Sequence, residues 1–153
     1  MTNSNGKATT IKKTFSRETS VSIDIQADPK TIWGLLTNAS NYSKWNSTVI
    51  SIEGKIALGE KIQLKSYLDP KRVFKLSVKE VEADKRLVWG DAMGKRVYSL
   101  TSNGNGQTNF SMSEKIGGPV FPLFAKMIPS FDESFEKFAA DLKKEAETIS
   151  GNK

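Results

Sequence analysis

With 153 residues, and 23 Lys and Arg against 17 Asp and Glu for a net charge of +6, the chain has room for one domain around one substantial core. It contains no Cys and no His, which excludes disulfides, thiolate nucleophiles, Cys-based metal sites, the usual catalytic triads and the commonest general base. Any catalysis has to rest on carboxylates, Tyr, Lys, Arg or ordered water, and neither a metal nor another cofactor is expected.

The N-terminal MTNSNGKATT is polar and lacks the apolar centre of a secretory signal. No stretch approaches the ~18 apolar residues of a membrane span. A cytoplasmic location is therefore expected, with no stable membrane insertion. The basic residues are scattered, and the mild cluster of Lys7, Lys12, Lys13 and Arg17 reads as solvated surface. A nucleic-acid partner would need cations focused on one face, so none is expected.

Residues 1–13 read as a flexible polar tail ahead of a single domain over 14–150. From Phe15 the apolar residues Val21, Ile23 and Ile25 recur with a period of two, which predicts a half-buried strand. Asp28 then suits a helix N-cap and Pro29 the first helical position, with Ile32, Leu35 and Leu36 as a short apolar stripe. NASNYSKWNS reads as a turn or a second short helix ending near Trp45. A run of short strands follows. Ile62, Leu64 and Leu68 alternate before DPKR, where Pro70 suits a type I turn. Val81 is out of phase with Phe74, Leu76 and Val78, which predicts a bulge near Lys79 and Glu80. RLVW, KRVYSL and NFSMSEKI supply three further strands.

The end of the chain differs in character. GGPVFPLFAKMIP is apolar and interrupted by proline, and reads as a core-covering loop, a mobile lid or a membrane-touching surface, with Gly117 and Gly118 able to hinge it. A helix is predicted over 130–149, with Ser130 and Glu133 as a capping box. Phe131, Phe135, Phe138, Ala139, Leu142, Ala146 and Ile149 make one apolar face at helical spacing. The order is strand, two short helices, six strands and a long helix. Alternation with one polar face implies an antiparallel sheet covered on one side, with the last helix across it.

This arrangement resembles the helix-grip fold of the START/SRPBCC superfamily, and within it the polyketide cyclase/dehydrase-like branch. DPKTIWGLLTNASNYSKWNS is similar to that branch's helix pair ending in Trp, and SIEGKIALGEKIQL to its next hairpin. VKEVEADKRLVWG is similar to its strand-turn-strand, and SEKIGG with the apolar segment and long helix to its C-terminal third. The resemblance implies an α+β domain in which a curved seven-stranded antiparallel sheet wraps the C-terminal helix around a cavity. Members bind lipids, sterols, polyketides or plant hormones; a minority catalyse cyclisation or dehydration. Many relatives carry an inward His on the strand that reads KRVYSL here; Arg96 stands there instead, which puts His-assisted chemistry in doubt.

Glu114 is the anomaly. It falls in phase with Phe110, Met112 and Ile116, although a carboxylate on an apolar face is unfavourable without a partner. Keeping the apolar residues of the last hairpin on one face requires opposed residue numbers to sum to an even value. A loop at Gly104-Asn105-Gly106 then sets Leu100 against Phe110, Tyr98 against Met112 and Arg96 against Glu114. That pair reads either as a structural ion pair or as the polar anchor of an apolar cavity.

Expected ligand contacts are Ser66, Trp89, Arg96, Tyr98, Met112, Glu114, Phe131, Phe135 and Phe138, with Tyr42, Trp45 and Tyr67 as further aromatic candidates. The leading function is non-catalytic binding or carrying of a small hydrophobic molecule (lipid, polyketide or aromatic metabolite) with a polar or anionic head, by a monomer or weak dimer that makes at most transient membrane contact. Two alternatives stand beside it. One is a His-free cyclase or dehydratase using Glu114 as the catalytic group; the other is a co-chaperone-like protein-interaction module.

Overall fold

The computed structural model describes residues 4–151. Strands β1 (Thr9–Lys12), β2 (Ser16–Ile25), β3 (Val49–Glu53), β4 (Lys61–Ser66), β5 (Asp69–Glu82), β6 (Arg86–Gly90), β7 (Gly94–Gly104) and β8 (Gln107–Gly117) form one antiparallel sheet. Its eight strands run in the order β1-β2-β8-β7-β6-β5-β4-β3. Helices α1 (Pro29–Thr37) and α2 (Tyr42–Trp45) fill the crossover from β2 to β3. After β8 come α3 (Phe121–Phe124), a 3-10 turn at Ala125–Met127 and the long helix α4 (Asp132–Gly151). No helix among the described residues is long and apolar enough to cross a membrane.

The sheet has one strand more than the seven expected, and the two short helices follow its second strand rather than its first. The extra strand is β1, inside the segment read as a tail; residues 1–3 of that tail lie outside the described residues. β1 pairs with β2 from Thr9↔Ser20 to Lys12↔Arg17. It is an edge strand whose only large apolar side chain, Ile11, is exposed, so no alternation marks it in the sequence. Polar contacts hold it instead. The Ala8 N–H donates to Glu136 Oε2 at 3.0 Å and the Thr10 hydroxyl bonds Asp132, both at the start of α4.

Local chemistry sets the helices. Asp28 Oδ1 accepts the Thr31 N–H at 3.0 Å with Pro29 in the first turn, and α1 buries Ile32, Leu35 and Leu36. α4 starts two residues later than the predicted helix. Ser130 Oγ accepts the Asp132 N–H at 3.2 Å, but Glu133 pairs forward with Lys137 at 3.2 Å. The stripe then buries Phe135, Phe138, Ala139, Leu142 and Ala146 against the sheet, while Ile149 is exposed. Phe138 is the centre of the grip. Its ring lies 5.8–6.3 Å from those of Tyr42, Trp45, Tyr98 and Phe110.

Four ladders carry register shifts, and two of these involve β5, where bulges bend a strand. The ladder between β5 and β6 shifts between Val78 and Glu80, where the phase change predicted it. The ladder between β4 and β5 shifts more widely. Ser66 pairs with Asp69 and Leu64 with Phe74, so residues 70–73 bulge opposite Lys65. The turn therefore falls at Tyr67 and Leu68 rather than at Pro70. Pro70 lies inside β5, in the bulge, where no N–H is required by the ladder.

Candidate functional site: a cavity under the 118–131 segment

The hairpin of β7 and β8 carries the register that its apolar phase demands. Leu100 opposes Phe110, Tyr98 opposes Met112 and Arg96 opposes Glu114. The turn is made differently from the three-residue loop expected. Gly104 pairs with Gln107, leaving Asn105-Gly106 as a two-residue turn with φ of 55° and 77°. A register shift between Ser102 and Gly104 absorbs the odd residue and preserves the facing pairs.

Arg96 Nε donates to Glu114 Oε1 at 2.7 Å, and the two side chains are 18% and 20% exposed. The guanidinium also lies 5.0 Å from the centre of the Phe135 ring. Next to this pair the packing changes. Around Tyr98 the sheet is filled by Phe138, but α4 begins only at Asp132, and beyond its first turn the sheet is covered by the 118–131 segment instead. A cavity of about 350 Å³ remains between them. Its apolar wall includes Leu64, Phe74, Leu76, Trp89 and Ile116, and its roof includes Phe124, Ile128 and Phe131.

Of the expected contacts, Ser66, Trp89, Arg96, Glu114 and Phe131 line this cavity. Ser66 also accepts the Leu68 N–H at 3.1 Å, so its hydroxyl serves the β4–β5 turn as well. Tyr98, Met112, Phe135 and Phe138 do not line the cavity; all four are buried in the core beside it, where Phe138 of α4 packs on Tyr98. Tyr42 and Trp45 belong to the same core, and Tyr67 is exposed at its turn. Arg17, read as part of a solvated cluster, is buried. Its Nη1 and Nη2 donate to the Ile128 and Pro129 carbonyls at 3.2 and 2.9 Å, and it lies 5.4 Å from the Phe131 ring centre. It thus fastens the end of the 118–131 segment to β2. At the other end, Gly117 allows β2 and β8 to close up, since a Cβ there would sit 2.5 Å from the Phe15 carbonyl oxygen. Gly118 then turns the chain with φ of 143°.

Burial shapes the titration of the groups below. It pushes the Tyr98 hydroxyl up to about 12, against the pull of the Arg96 guanidinium, and it raises Tyr42, whose hydroxyl donates to the Leu36 carbonyl at 2.6 Å. For Arg96, burial disfavours the charge, but Glu114 and then Tyr98 outweigh it, so the guanidinium stays charged. In the unfolded chain both tyrosines release protons near pH 10, while the folded chain holds them. The contribution of Tyr98 is therefore complete below about pH 10 and is lost as pH rises towards 12, at about 1.4 kcal/mol per pH unit, and Tyr42 adds a loss in the same direction. Denaturant unfolding at pH about 9 and about 11 should show this fall, and Tyr98→Phe should reduce it. Equal stability at the two values would contradict the assignment.

The sheet, its grip on α4 and the cavity under the 118–131 segment define an α+β domain of the helix-grip kind. The family described as Polyketide cyclase / dehydrase and lipid transport matches residues 16–147, and the chain belongs to it. Solved structures agree on the fold. A START superfamily protein from Mycobacterium smegmatis is 16% identical, with a TM-score of 0.64 over 87% of this chain and 99% of that one. A conserved protein of unknown function from Enterococcus faecalis is also 16% identical, with a TM-score of 0.67 over 96% of this chain and 79% of that one. The di-domain ARO/CYC protein StfQ from the steffimycin biosynthetic pathway is 10% identical, with a TM-score of 0.64 over 85% of this chain and 44% of that one. At these identities the likeness establishes fold alone. No curated protein matches the chain in sequence.

Proposed function

We propose that this protein binds and carries a small hydrophobic molecule in the cavity under its lid. The observation that carries this reading is a cavity of about 350 Å³ with largely apolar walls and one inward ion pair. Small-molecule sites commonly begin at about 300 Å³ and combine apolar surface with a few convergent polar groups. The ion pair favours carrying over catalysis. A substrate seeking Glu114 as an acid or base would have to compete with the guanidinium that already holds Oε1 at 2.7 Å.

The lid supports a further part of the proposal, transient contact with a lipid surface during loading. Leu123 and Met127 are 83% and 80% exposed, and Val120 is exposed beside them. Phe15 and Met93 add apolar surface where their carbonyls bond the N–H groups of Gly118 and Gly117. An apolar molecule leaving a membrane here would pass from one apolar surface to another.

An apolar fluorescent dye should bind the full chain with a Kd of about 1–10 μM, equivalent to about 7–8 kcal/mol. Leu76→Trp, which fills the cavity from its wall, should abolish binding while the protein remains folded. Undiminished dye binding by that variant would place the dye elsewhere and remove the support for this function.

A further inference from the structure

The charged groups on the cavity wall occupy two environments. Two guanidiniums, Arg72 and Arg96, and three carboxylates, Asp69, Asp91 and Glu114, line it. Asp69, Arg72 and Asp91 are exposed at the mouth, where water and salt screen them. Asp91 is further engaged by its own turn, accepting the N–H groups of Met93 and Gly94, each at 2.9 Å. Only Arg96 and Glu114 present charge to the sheltered part, and they neutralise each other at 2.7 Å.

Resting on the carrier function proposed above, we propose that the cavity takes an uncharged apolar molecule whose head carries a hydrogen-bond donor beside an acceptor. A carboxamide or a hydroxylated carbonyl compound has this chemistry. The same framework bearing a carboxylate or an ammonium group is rejected.

The unused atoms of the pair set this preference. Glu114 commits Oε1 to Arg96, and its Oε2 has no protein donor among the described residues. That oxygen lies on the side of Gly94, 3.7 Å from where a Cβ on that glycine would stand, so the missing side chain leaves room beside it. Arg96 commits Nε to Glu114 and a further donor to the Tyr98 hydroxyl, and its remaining N–H groups are donors on the same wall. A neutral head can accept from Arg96 and donate to Oε2 at once. A carboxylate brings two acceptors and a charge: one oxygen meets Arg96, the other faces Glu114, and no unpaired cation inside repays its lost hydration. An ammonium meets the opposite conflict at Arg96. Arg72 is the competing anchor for an anion, but Asp69 and Asp91 share its rim.

Three probes of one shape test this against the full chain near neutral pH: 2-naphthamide, 2-naphthoate and protonated 2-naphthylmethylamine, with naphthalene as the headless reference. The amide should bind about tenfold or more tightly than either ion, as expected when an ion leaves a buried partner unsatisfied. Glu114→Gln should narrow or reverse the preference for amide over naphthoate, because Arg96 is then free to pair with the ligand. Arg72→Gln should leave that preference unchanged. Naphthoate binding as tightly as the amide to the unaltered protein would overturn the inference and leave the carrier function standing. So would tight naphthoate binding that disappears in Arg72→Gln, which would put the anchor at the mouth. If naphthalene and all three probes fail to bind, the carrier function falls and this inference falls with it. The comparison on the unaltered protein decides the matter even where a substitution weakens folding.

Discussion

Arg96→Met is expected to lower the stability of the protein by about 3 kcal/mol, the low end for stranding one charge of a buried pair. The low end applies because about a fifth of each side chain remains exposed, at 18% and 20%. Glu114→Gln should cost a similar amount for the mirrored reason, since it leaves a guanidinium against the Phe135 ring with no counter-charge. The double variant should be much less destabilised than the sum of the two, because neither side chain is then an unpaired ion. Denaturant titrations of the four proteins measure this coupling directly. Additive losses of a few tenths of a kcal/mol would mean that the two groups are independently solvated and that their 2.7 Å contact contributes nothing.

Phe138→Ala should be the most damaging single truncation on α4, at about 3–5 kcal/mol. The ring is 1% exposed and touches four other aromatic rings, from α2 and from both strands of the last hairpin. It joins the helix, the crossover and the sheet, so the space it leaves cannot collapse without moving one of the three. The same substitution should leave the cavity's lining intact, because Phe138 is not part of it. Thermal or denaturant unfolding checks the first statement. Dye affinity at a temperature where the variant is folded checks the second, and a large loss of affinity there would return Phe138 to the list of ligand contacts.

Arg96, Glu114 and Phe138 also show how much of the fold and the site could be read from the chain. Parity and a loop at Gly104-Asn105-Gly106 together set Glu114 against Arg96, because a strand has a period of two and a slip of one residue turns Phe110 and Met112 to the solvent. That argument survives a wrong turn, since the bulge near Gly104 compensates for the shorter loop. Phe138, by contrast, lies on the apolar face expected of its helix, but it does not line the cavity. Helical spacing says which face is buried and is silent on what covers it. The division between core and cavity depends on where α4 begins relative to the sheet, and that is set by the 118–131 segment, whose proline-broken sequence has no period to read. β1 was invisible for a related reason: an edge strand held by polar contacts to Asp132 and Glu136 has no apolar alternation. Arg17 was missed because its partners are carbonyl groups, which leave no mark on a sequence.

That last feature has a bearing on how such a protein can change. The Arg17 guanidinium grips the main-chain oxygens of Ile128 and Pro129, and every amino acid carries such an oxygen. Side chains in the preceding stretch, including the outward Leu123 and Met127, can therefore be exchanged without loosening the fastening. The roof of the cavity becomes an interchangeable part on a fixed clasp. Mutational drift or deliberate redesign could alter what the protein touches while leaving the attachment point, and the cation that makes it, as they are.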